Sequence, residues 1–184
     1  MLLSLAIWFQ NTALCALVRD WPLAYPIILT LHLIFISLFA TTILATDLRL
    51  LGWGLRKYSI SDIVDQLRVP KRIGFVLVVT CGLLTLGSKA EEYYYNPYLR
   101  VKFLLLALVG VHALVFRGSV YNKAAELDVL AEPPLRAKLA AGLSLLLWLG
   151  IAIMGRSAGY VYPPAGTHHF ATLFDSAFMP SLFL

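Results

Sequence analysis

PIILTLHLIFISLFATTILATDLRLLG, residues 26–52, runs from a proline through apolar residues interrupted by a single imidazole, His32, and meets its first charges only at Asp47 and Arg49. From Tyr25 to Ala45 the chain carries 21 residues without a charge. That is the length a helix needs to cross about 30 Å of hydrocarbon. Three shorter runs of the same character follow at Ile73–Ser88, Phe103–Phe116 and Leu139–Gly155. Arg72 and Lys89 bracket the first of these and Lys102 and Arg117 the second, so snorkelling side chains extend each to a full crossing. The spans are therefore placed at about 22–46, 72–89, 100–117 and 138–155.

The composition agrees. Of 184 residues, 60% are hydrophobic and 14% charged, and the mean hydropathy is +0.79, beyond the apolar share of a water-soluble domain. The fold class expected is an all-α integral membrane four-helix bundle forming one domain over 1–184, with helices packed through small residues such as Gly82, Gly87, Gly110, Gly142 and Gly150. Residues 1–20 lack a basic start and a small-residue cleavage site, and read as an interfacial helix on the outer leaflet. Residues 156–184 are an outer-side tail, aromatic and broken by prolines.

Lys and Arg set the orientation. Residues 47–72 hold six and residues 117–138 hold four, against five on the other side, which places both termini outside a bacterial inner (cytoplasmic) membrane. The net charge of +5 reflects that asymmetry and contact with membrane lipid; no basic cluster is interleaved for nucleic acid. In the loop after span one, Ile60, Ile63, Val64 and Leu67 predict a short amphipathic helix ended by Pro70. After span three, a helical continuation is expected up to Pro133 and Pro134. Asp47 and Arg49 pair with each other or with Lys71 and Arg72, as surface ion pairs worth little.

Four histidines carry the functional question. His32 and His112 lie in spans one and three, where an ionisable side chain is costly and rarely faces lipid. One reading makes them the axial ligands of a haem b, which needs two neutral imidazoles on neighbouring helices at nearly equal depth. With about 1.5 Å of rise per residue, anchors at Trp21 and Leu99 place them about 16 and about 20 Å deep, whereas anchors at Asp47 and Arg117 separate them by about 15 Å. Extending span three to Tyr121 or Asn122 reduces that gap to about 7–9 Å. The competing reading is that each ring hydrogen-bonds a neighbouring helix, with Thr30, Ser37, Thr80, Thr85 or Ser144 as partners; a proton or metal pathway is the third. His168 and His169 are adjacent in the tail, and side chains on adjacent residues diverge, so they make a weak metal site. Cys15 and Cys81 read as small apolar residues.

The connection between spans two and three holds Lys89, Glu91, Glu92, Tyr93, Tyr94, Tyr95, Asn96, Pro97, Tyr98 and Arg100. Tyrosines at this height form an interfacial belt. The alternative is a mouth for a quinone headgroup or partner, with Arg100 beside a tyrosine such as Tyr95. No phosphate loop, zinc spacing or hydrolase triad is visible.

Four stretches, YPIILTLHLIF (25–35), DLRLLG (47–52), NPYLRVK (96–102) and GLSLLLWLGIAIMGR (142–156), resemble a family of small bacterial inner-membrane proteins of unknown function. The resemblance covers Trp21 to Arg156. That family looks distantly like four-helix membrane cytochromes b and copper-resistance membrane proteins of the CopD kind. The likeness implies His32 as a haem or metal ligand; His112 departs from the pattern, in which the histidine of the third span lies nearer Arg117. The expectation is a haem b electron carrier or redox membrane anchor, linked to quinone and to membrane or periplasmic subunits. The alternatives are a cofactor-free subunit of a larger membrane complex and a copper or proton transporter.

Overall fold

The computed structural model describes residues 2–118, 120–130 and 132–160. Eight α-helices are described: α1 (Leu2–Gln10), α2 (Ala13–Asp20), α3 (Ala24–Leu51), α4 (Ile60–Ser88), α5 (Ala90–Tyr94), α6 (Pro97–Arg117), α7 (Ala124–Asp128) and α8 (Leu135–Ala158), with a 3-10 turn at Tyr121–Lys123 before α7. Four of them, α3, α4, α6 and α8, are long and apolar enough to cross a membrane. His168, His169 and nearly all of the expected tail lie outside the described residues.

The long helices form two antiparallel hairpins, α3 with α4 and α6 with α8, joined where α3 packs on α8. Each helix therefore rests chiefly on its neighbours in the order α4, α3, α8, α6. Small residues set three of the close approaches. A Cβ on Gly82 would stand 3.0 Å from His32 Cε1, one on Gly74 3.3 Å from Phe39, and one on Gly150 3.2 Å from Leu105. Gly110 and Gly142 meet nothing within 4 Å, so these two expected contacts are absent.

Three helices differ from the expected bounds. α3 continues past Asp47 to Leu51 and stops at Gly52, whose positive φ of 77° suits a residue without a Cβ. α4 starts at Ile60 and passes through Pro70 without ending. A proline inside a helix costs about 3 kcal/mol, and here the first turns are held from elsewhere. Ser59 accepts from Asp62 N at 3.0 Å, and Asp128 of α7 accepts from the backbone N–H groups of Ile60 and Ser61. Span three is regular α-helix to Arg117, and the helical continuation expected before the prolines takes the form of the 3-10 turn at Tyr121–Lys123 and α7, which packs on α4.

The N-terminal segment is two helices bent by 65°, not one. Thr12 donates to the Phe9 carbonyl at 2.8 Å where α1 ends. α1 packs on α5 and α2 on α4, burying Cys15 and Val18. By length and composition the pair is apolar enough for a broken fifth crossing.

Near the start of α6, Asn96 is almost wholly buried. Its Oδ1 accepts from Tyr98 N at 3.1 Å, which caps α6, while Nδ2 donates to the Ala158 carbonyl at 2.9 Å, which ties the cap to the end of α8. Losing a cap and a buried inter-helix hydrogen bond together gives an expected destabilisation of about 2 kcal/mol for Asn96→Ala. Thermal unfolding in detergent checks this; an unchanged midpoint would show that the α6–α8 tie is energetically silent.

Candidate functional site

α3 is apolar almost all round, so each polar side chain it buries needs a tertiary reason. Asp47, expected at the surface, is 1% exposed. It stands one turn inside the end of α3, where α8 crosses it and α4 returns. The hydroxyl of Ser144 on α8 lies alongside its carboxylate, and Lys71 on α4 supplies the nearby positive charge. Lys71 Nζ donates to Thr46 Oγ1 at 3.0 Å. Among the described residues no contact ion pair joins Lys71 to Asp47 within 4.0 Å. Tyr121, after α6, is close enough for its phenol to feel the carboxylate. Asp47 Oδ2 has no hydrogen-bond partner.

His32 is also buried, against α4. Gly82 makes the space for its ring, and the ring hydrogen-bonds the backbone at Val78. Nδ1 is left without a partner. The charge acting on His32 is that of Lys102 on α6. His112 faces α8 instead: its Nε2 lies 2.9 Å from the Ala140 carbonyl, and its ring packs 4.9 Å from that of Phe116. The proton on that nitrogen is assigned from this contact. His112 also lines an apolar groove of about 280 Å³ with Leu108, Val111, Leu143 and Leu147.

Contacts between helices fix the relative depth of the two imidazoles. α3 meets α8 at Phe39–Trp148 and at Asp47–Ser144, and α8 meets α6 at Gly150–Leu105 and at Ala140–His112. His112 therefore lies in the layer of Asp47, fifteen residues along α3 from His32, or about 22 Å. The structure does not bring the two expected haem ligands together. As placed, His32 and His112 do not bracket one porphyrin, because axial imidazoles must face each other across a single iron. The expectation that the rings bond neighbouring helices meets a related arrangement, but the acceptors are backbone carbonyls. Thr30, Ser37 and Thr85 spend their hydroxyls on their own helices.

Arg100 and Tyr95 do share one corner. Arg100 Nε donates to the Tyr94 carbonyl at 3.3 Å and its guanidinium lies 5.8 Å from the Tyr94 ring, which in turn meets Tyr95 edge-on at 5.1 Å. These contacts brace the turn between α5 and α6. Among the described residues, no three His, Cys, Asp or Glu side chains gather as a metal site.

Asp47 is the residue that sequence reasoning missed. A signal was present: the carboxylate closes an uncharged run; Thr46 beside it is buried as well. What the chain alone did not disclose is that Ser144 and Lys71 arrive at that level from two other helices.

Residues 22–161 match a family model described as a family of unknown function (DUF6644). The matched region nearly coincides with the stretch whose motifs resemble small inner-membrane proteins, and it brings no likeness to cytochromes b or CopD-type proteins with it. No curated protein and no solved structure matches the chain.

Proposed function

The chain belongs to the DUF6644 family, and from its own residues we propose a multi-pass protein of the bacterial inner membrane that binds and releases a proton at Asp47. The carrying observation is a carboxylate 1% exposed with one oxygen unpartnered. A buried carboxylate without a full set of donors is held at a cost of several kcal/mol, which a proton relieves. Lys71 supplies the counter-charge when the proton has left; Thr46 anchors its ammonium, so Asp47 and Lys71 make a separated acid–base pair instead of a locked salt bridge. Ser144 orients the carboxylate. The excess of Lys and Arg around residues 47–72 and 117–138 supports reading this end of the helices as the cytoplasmic one, within reach of water.

The reading is tested by infrared titration of the protein in lipid. A carboxylic-acid carbonyl band that titrates reversibly, exchanges slowly with deuterium and is missing in Asp47→Asn is the expected result. Identical titrations of the two proteins would overturn it.

A further inference from the structure

Among the described residues, only two buried side-chain polar atoms lack a hydrogen-bond partner, His32 Nδ1 and Asp47 Oδ2. Both belong to α3. Between them stands Phe39, seven residues from one and eight from the other, or about 10 and about 12 Å. Phe39 is 5% exposed and is held on two sides. Its ring meets Trp148 of α8 edge-on at 5.1 Å and Phe75 of α4 at 6.0 Å, while Gly74 lets α4 close to within contact of its side chain.

We propose that His32 is a second proton-binding station and that Phe39, clamped by Trp148, Phe75 and Gly74, is the dry plug that insulates it from Asp47. The inference rests on the reading of Asp47 as a proton site. At His32 the ring nitrogen bonded to Val78 keeps its hydrogen, so an arriving proton adds to the lone pair of Nδ1 and leaves from the same atom. The ionisable groups near this station are Lys102 on α6 and the Cys81 thiol beside Gly82 on α4; those near Asp47 are Lys71 on α4 and Tyr121. A proton passing between stations needs water or a polar side chain at the level of Phe39, and three aromatic rings exclude water there as a hydrophobic constriction does. In this conformation each station exchanges with its own side and not with the other.

The test is proton flux into liposomes that contain the purified full chain, followed with an entrapped pH dye while potassium and valinomycin collapse the membrane potential. Phe39→Ala should raise the flux on the order of tenfold or more over the unsubstituted protein, and adding His32→Phe to that variant should return it to baseline. Phe39→Leu, which keeps most of the apolar volume but loses the ring contacts, should shift the flux in the same direction by less, and stands in if the alanine variant does not fold. Flux unchanged in a folded Phe39 variant overturns the plug. Flux raised equally with and without His32 overturns the second station. The carboxyl band of Asp47, recorded on the same preparations, separates these failures from failure of the Asp47 reading: a titrating band with unchanged flux removes the plug alone, and an absent band removes both.

Discussion

Lys71→Met is expected to destabilise the folded protein by about 1–3 kcal/mol, because it strips the nearby counter-charge from a buried carboxylate, and uptake of a proton by Asp47 offsets part of the loss. Methionine keeps the length and flexibility of the side chain, so the loss is electrostatic and not a matter of volume. It also removes the hydrogen bond from Nζ to Thr46, a smaller contribution of about 1 kcal/mol. The decisive measurement is the double substitution. Asp47→Asn with Lys71→Met takes away both charges while preserving shape, and should recover stability to within about 1 kcal/mol of the unsubstituted chain, since replacing both members of a buried pair is close to neutral. Thermal unfolding in detergent, followed by circular dichroism, reads all four corners of the cycle. Strictly additive effects would show that the two side chains do not interact and that the separated acid–base pair is no pair.

The second large effect concerns the N-terminal helices. Gly87 sits near the end of α4 where α2 presses on it: a Cβ there would fall inside the sulfur of Cys15 and only 2.9 Å from Phe9 Cε1. Gly87→Leu therefore cannot be absorbed by a rotamer change. Overpacking of this kind costs about 1–3 kcal/mol where the core holds together; α1 and α2, which rest on α5, α4 and α3, are expected to lift away instead. Cys15, 2% exposed, then becomes available to a maleimide. In a Cys81→Ala background, rapid labelling of Gly87→Leu and slow labelling of its parent, with helix content unchanged, is the expected pattern. Equal labelling would mean that α1 and α2 are held by something other than their contact at Gly87.

The long helices were legible because each apolar run is bracketed by Lys or Arg and reaches the length of a crossing. Their ends were not, because helix continuation into charged sequence leaves no hydropathy signal. α4 shows why: Pro70 signals a stop, but the stabilisation at the first turn comes from Ser59 and from Asp128, the latter 68 residues from Ile60. The depth of the histidines failed for a related reason. Anchors at Trp21 and Leu99 imply helix starts at one level, yet the contacts along α3, α8 and α6 place Ala24 about two turns beyond the start of α6. The ruler anchored on Asp47 and Arg117 came nearer and still fell short, since Asp47 lies level with His112, more than a turn inside Arg117. The burial of Asp47 is a property of where α4 and α8 cross α3, and no local window contains it.

The carboxylate that caps α4 also imposes an order on synthesis. Ile60 leaves the ribosome 68 residues ahead of Asp128, so the nascent α3–α4 hairpin forms with two backbone N–H groups of its second helix awaiting a side-chain acceptor that arrives only after α6 has been made. Completion of that turn thus reports that the third long helix has been delivered, and a chain truncated before residue 128 carries its defect at residue 60.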